Sequence, residues 1–191
     1  MAIIIGIDPG SRLCGWGIVS QRSKQIEHVD NGVISLQPQD PLPNRLAVLH
    51  RRLAELIVTY QPNAAAVENV FQHRNPQSAL VLGQARGAAI ACLAIADLPV
   101  HSYAATEVKK IVAGHGRASK EQMQIMISKH LALKEAPQED ASDATSIALC
   151  HALRLSLNLP LLDVKKTKNK YSKKRSDALL LALANKGAQR R

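Results

Sequence analysis

The chain has 191 residues, 46% of them hydrophobic, and a formal net charge of +10. That length and apolar content suit one sizeable core, so a single compact unit is expected. The opening MAIIIGID meets an aspartate too soon for a signal peptide or a membrane span, and Cys14, Cys92 and Cys150 lie far apart without a C-x-x-C pair, which argues against export, a zinc site and a disulfide framework and for a cytoplasmic protein.

The charge is unevenly placed. Residues 156–191 hold ten Lys/Arg against two Asp, a tail of +8, whereas residues 1–155 hold fifteen Lys/Arg against thirteen Asp/Glu and are only +2. If four of those thirteen acids share one metal site, the rest of that part is +6, a balance that suits a polyanion such as nucleic acid.

In chain order, AIIIGI is a short β-branched run closed by Asp8-Pro9-Gly10, which predicts a strand buried on both faces and then a turn. CGWGIVSQ and IEHVDNGVISL predict two further strands in a meander with the first. Leu46, Leu49, Leu53, Leu56 and Ile57, bracketed by Pro43 and Pro62, recur at helical spacing and predict an amphipathic helix from Asn44. AAAVENVF is a second short buried strand. From Pro76 to Ala96 a long helix is expected, with Ala79, Gly83, Gly87 and Ala91 forming a face of small side chains that another backbone, from this chain or a partner, can approach. LPVHSYAA gives a fifth strand, basic helical stretches follow around Lys109 and Lys120, and a last helix runs from about Glu139 to Leu155.

This order predicts an α/β fold in which a mixed five-stranded sheet, antiparallel at first and then joined by parallel crossovers, is flanked by helices. Residues 1–157 form the folded domain. Residues 158–191 are expected to be a basic, flexible C-terminal tail, because KKTKNKYSKKR offers charge and almost no apolar surface. Within it SDALLLALANKG has the caps of a short helix, Ser176 or Asp177 at its start and Gly187 at its end.

Four acids stand out. Asp8 ends the first strand and Glu68 the fourth, positions where ligands gather in such sheets. Asp140 and Asp143, three residues apart, share a helix face that continues through the apolar Ala144 and Ile147 to His151, and so points inward. Each has a plainer alternative: a turn for Asp8, an outward strand end for Glu68, helix capping for the pair. Together they would repel one another unless divalent cations stood between them, and oxygen-only ligation selects magnesium or manganese over zinc. Two such ions about 4 Å apart activate a water and stabilise the leaving oxygen of a phosphodiester.

The blocks IIIGIDPGSRLCGWGIV, VENVF with NPQSALVLGQARG, YAATEVKKIVAGHGRASKEQM and EDASDATSIALCH, in this order from residue 2 to about 155, resemble the RuvC family of Holliday junction resolvases. The resemblance implies a ribonuclease H-like fold, a homodimer acting with a branch-migration complex of RuvA and RuvB, and two Mg2+ per site with Mn2+ able to substitute. It also implies paired symmetrical nicks in four-way DNA junctions during recombination and repair, with a tendency toward thymine-rich sites. By motif position the family's acids fall on Asp8, Glu68, Asp140 and Asp143. Lys109 and Lys120 fall on basic residues near the scissile phosphate, and Phe71 on an aromatic that stacks on unpaired bases. Arg74, Arg86, Lys110 and Arg117 are further DNA-binding candidates, and the helix bearing Ala79 to Ala91 becomes the expected dimer contact. His115, Val81 and the long basic tail depart from the family pattern without touching the acids.

Another ribonuclease H-like nuclease, acting on RNA or RNA-DNA hybrids, would carry the same acids. A basic DNA-binding protein without activity would be held by its tail and lose affinity steeply with salt.

Overall fold

The computed structural model of the protein describes residues 1–69 and 75–160. Strands β1 (Ala2–Asp8), β2 (Leu13–Arg22) and β3 (Gln25–Ser35) are followed by helix α1 (Leu42–Tyr60), strand β4 (Ala64–Glu68) and helix α2 (Pro76–Ile95). Strand β5 (Val100–Tyr103) precedes helices α3 (Ala105–Ala113), α4 (Lys120–Leu131) and α5 (Glu139–Ser156). The sheet order is β3-β2-β1-β4-β5. The first three strands pair antiparallel as a meander, and β4 and β5 join in parallel. The expected mixed five-stranded α/β sheet is what the chain forms.

Three boundaries differ from the sequence reading. Helix α1 begins at Leu42 and takes Pro43 into its first turn, where a missing backbone N–H breaks no helical bond. The fourth strand ends at Glu68, and the next amide, that of Asn69, donates to the Tyr103 carbonyl. The fifth strand is confined to Val100–Tyr103. Phe71, Arg74 and residues 161–191, which include the Ser176 or Asp177 cap, lie outside the described residues.

Side-chain alternation divides the core between the two faces of the sheet. Ile5 and Ile7 of β1 and Ala65 and Val67 of β4 pack against Leu49 and Leu53 of α1 and Ala89 and Leu93 of α2. Ile4 and Ala66 face the other way, toward Val108 of α3, Ile127 of α4 and Ile147 and Ala148 of α5. Each fully buried isoleucine on β1 contributes about 1.5–3 kcal/mol by leaving water.

On this second face β1 and β2 present glycine at Gly6, Gly15 and Gly17, and helix α5 lies directly on them. A Cβ at Gly17 would stand 2.4 Å from the Thr145 hydroxyl, and one at Gly15 would stand 2.0 Å from the Asp140 carbonyl oxygen. Gly6 meets the α5 backbone at Ala144 in the same way. Glycine is required here because backbone meets backbone. At its far end α5 is pinned to β5 by a 2.6 Å hydrogen bond between Tyr103 and His151 Nδ1. Burial and the neighbouring His101 and Arg154 push His151 down to about 4, so this ring stays neutral at physiological pH.

Candidate active site

The fold brings three carboxylate-bearing segments to one end of the sheet. Asp8 is the last residue of β1 and Glu68 the last of β4. These strands are parallel neighbours with Ile7 beside Val67, so the two acids follow side by side. By alternation both leave the sheet on the face that α5 covers, since Ile4 and Ala66 do. Helix α5 begins at Glu139, and its seat on Gly15 and Gly17 sets Asp140 and Asp143 over the end of β1.

The electrostatics of the cluster are those of like charges crowded in partial burial. The Asp8 carboxyl is pushed up from 3.8 to about 7, first by burial, then by a hydrogen bond and repulsion from Glu68 and by repulsion from Asp140, with Lys120 opposing. Asp143 rises to about 6, chiefly through burial and then the Asp8 charge, Lys120 again opposing. Capping explains neither helix acid: the residue at the α5 N-cap is Gln138, and no side chain bonds there.

Lys120 opens α4 and is the cation that the cluster feels. Its ammonium is paired with Glu139, next in sequence to Asp140, and both side chains are well exposed, at 64% and 63%. The pairing and the nearby Asp143 and Asp140 raise the Lys120 pKa. Lys109 is half-buried and Lys110 exposed on α3, and Arg117 is exposed between α3 and α4. Among the described residues none of these three is held in an ion pair, which leaves their charges available to a phosphate.

Arg86, a DNA-binding candidate in the sequence, is engaged within the chain. Its Nε donates to the Glu68 carbonyl at 2.9 Å, and its Nη2 donates to Asn69 Oδ1 at 2.8 Å and Ser102 Oγ at 2.9 Å. Two of its three nitrogens are thus committed within the chain. The small-residue face of α2 remains open instead: Gly83, Gly87 and Ala91 are exposed, Leu80 is 58% exposed, and a Cβ at either glycine would meet nothing within 4 Å.

As a metal site, the cluster supplies hard oxygen donors only, which fits Mg2+ or Mn2+ better than zinc. Among the described residues no three His, Cys, Asp or Glu side chains already stand as a coordination cage. The acids are neighbours that a cation would draw together. The fit rests on that donor set and on the repulsion that Glu68 and Asp140 exert on Asp8, and Asp8 on Asp143, beyond the larger effect of burial, which a divalent ion would offset.

Sequence reasoning missed Glu139 and the Arg86 clamp. It also missed the glycine seat, although two glycines alternating within CGWGIV are a readable sign that a backbone approaches that strand.

The family described as "Crossover junction endodeoxyribonuclease RuvC" matches residues 4–151. A protein of that name from Geotalea uraniireducens is 54% identical over 149 residues, 78% of this chain and 87% of its own length. One from Citrifermentans bemidjiense is 50% identical over 163 residues, covering 85% of this chain and 99% of its own length. The fold is similar, with a TM-score of 0.79 and 34% identity, to that of T. thermophilus RuvC in complex with a Holliday junction substrate, over 84% of this chain and 99% of that one.

Proposed function

Since the chain belongs to the RuvC family of crossover junction endodeoxyribonucleases, we propose that it makes paired, symmetrical hydrolytic nicks in four-way DNA at a site formed by Asp8, Glu68, Asp140 and Asp143. It is a Holliday junction resolvase acting in DNA recombination. Nucleases of this family depend on divalent metal. We take the metal to be Mg2+, two ions per site, with Mn2+ able to substitute.

The reading is supported by three carboxylate-bearing segments, the ends of β1 and β4 and the start of α5, meeting at one end of the sheet, where Asp8 is raised first by burial and then by Glu68 and Asp140, and Asp143 by burial and then by Asp8. Four carboxylates gathered in partial burial cost stability when ionised and would repel a DNA strand unless cations joined them. When bound, divalent ions supply a nucleophilic water and stabilise the leaving oxygen. The acids orient those ions. Lys120, on exchanging Glu139 for a phosphate oxygen, offsets charge that develops on the scissile phosphate. Lys109, Lys110 and Arg117 carry backbone contacts, and Phe71 and Arg74 are assigned to the junction on motif position alone.

A homodimer is supported by the open small-residue face of α2. This helix is long and apolar enough to cross a membrane, yet Ala85, Ala89, Cys92 and Leu93 on its other side are buried in the core. A second copy of α2 covers such a face and sets two sites in two-fold relation. We place the enzyme in the cytoplasm, working with RuvA and RuvB, and the basic tail as an additional grip on DNA.

The test is a synthetic four-way junction beside a linear duplex of matching sequence, with and without Mg2+, using the wild type and Asp8→Asn. Paired nicks are expected in the junction alone, lost without metal and lost in the variant while junction binding persists. Equal cutting of duplex, or an active Asp8→Asn, would refute the assignment.

A further inference from the structure

Arg86 sits on the side of α2 that faces the sheet, at the place where β4 and β5 end. It is half-buried, and burial lowers its pKa. Such a cation is kept where its donors are matched. Its three bonds reach two segments: the Glu68 carbonyl and the Asn69 side chain where β4 ends, and the Ser102 hydroxyl on β5. A fourth bond, from the Asn69 amide to the Tyr103 carbonyl at 2.8 Å, locks the same corner from the sheet side.

We infer that Arg86 is a positioning residue that fixes the backbone and side-chain direction of Glu68 and ties that acid to α2, rather than a residue that grips DNA. The planar guanidinium suits this task because its donors leave in fixed directions, whereas a lysine ammonium offers one mobile point charge. The open face of α2, Gly83 and Gly87, and the Arg86 clamp are on one rigid helix. A shift of that helix therefore moves Glu68, and cleavage in one subunit becomes sensitive to how α2 meets its partner.

This inference rests on the reading of Glu68 as a metal ligand, and the experiment separates the two. Mn2+ binding to the full-length, DNA-free protein is titrated by electron paramagnetic resonance for wild type, Asp8→Asn, Arg86→Lys, Ser102→Ala and Asn69→Ala. Metal-free junction binding is measured over a range of salt. Arg86→Lys is expected to weaken Mn2+ binding about tenfold, as loss of a group supporting a ligand does, with Ser102→Ala and Asn69→Ala in between. Junction affinity and its salt slope should stay at wild-type values.

A residue gripping phosphate would behave in the opposite way: Mn2+ binding unchanged and junction affinity lower, because lysine keeps the charge but loses the bidentate fork. That result overturns the inference. Ser102→Ala and Asn69→Ala retain Arg86 and its charge, so wild-type Mn2+ binding in both overturns it even if Arg86→Lys does not fold. If wild type binds no Mn2+, or Asp8→Asn binds it as well as wild type, the metal reading itself fails. If Asp8→Asn loses binding and Arg86→Lys keeps it, only the inference fails.

Discussion

Replacing Gly15 by alanine tests whether the seat of α5, and not only its acids, makes the site. The new Cβ would lie 2.0 Å from the Asp140 carbonyl oxygen and 2.8 Å from its carbonyl carbon. Ordinary contact begins near 3.4 Å, and neither atom belongs to a flexible side chain, so the start of α5 must retreat by more than 1 Å. Overpacking of this kind costs about 1–3 kcal/mol, which lowers the melting temperature by roughly 2–12 °C for a domain of this size. A displacement of ~1 Å at the reacting groups costs on the order of 100-fold in rate. The assay is single-turnover cleavage of a four-way junction at saturating Mg2+, with thermal melting and metal-free junction binding measured in parallel. Cleavage should fall far more than folding, and binding should hold. Wild-type turnover in Gly15→Ala would show that α5 can lift without moving its acids, and the account of how Asp140 and Asp143 are placed would be wrong.

Asp8 and Asp143, raised from 3.8 to about 7 and about 6, hold protons in the folded state that the unfolded chain has already released. The metal-free protein should therefore lose stability as pH rises from about 4 to about 7; melts in chelator at pH 5.5 and pH 8 check this, and a flat profile in wild type would contradict the cluster. Asp8→Asn should raise the metal-free melting temperature at pH 8 while abolishing cleavage. Glu139→Gln frees Lys120 from its exposed partner, and since such pairs are worth ~0.2–1 kcal/mol, metal-free junction binding at low salt should tighten by up to about fivefold; looser binding would argue that Glu139 holds Lys120 in its working position. Gly87→Glu, at a position where a Cβ meets nothing within 4 Å, should leave the fold intact and convert the proposed dimer to monomer in sedimentation; a wild type that sediments as a monomer would refute the dimer, and a dimeric variant would remove α2 from the interface.

Most of the architecture could be read from periodicity because the central strands are continuous apolar runs and α1 and α2 begin at prolines. The start of α4 was not read, although Ser119 caps it reciprocally with Gln122. The acids were readable for a related reason, since strand ends and an inward helix face are features of sequence order. Arg86 was not readable in the same way. Its partners Glu68, Asn69 and Ser102 lie 16 to 18 residues away, and a lone arginine in an apolar helix gives no sign of whether it will meet a carbonyl or a phosphate. The Lys120–Glu139 pair was hidden likewise, because 19 residues separate its members.

The charge pattern argues that the acid cluster serves chemistry and not stability. Two carboxylates among the described residues are met by an arginine, Glu107 by Arg154 between α3 and α5 and Glu55 by Arg52 along α1, and Asp30 is met by the Tyr60 hydroxyl. Asp8 and Asp143 receive burial and like charge instead. The cation set beside them, Lys120, leans to Glu139 and opposes their elevation without cancelling it. A sequence selected for stability alone would replace Asp8 with an amide at no cost to packing, since the asparagine side chain has nearly the same shape. Retaining an ionisable group there destabilises the metal-free fold at neutral pH, and the same group makes the fold more stable once a divalent ion is bound. The proposed metal site would therefore be coupled to folding, and thermal melts with increasing Mg2+ should rise for the wild type and stay level for Asp8→Asn.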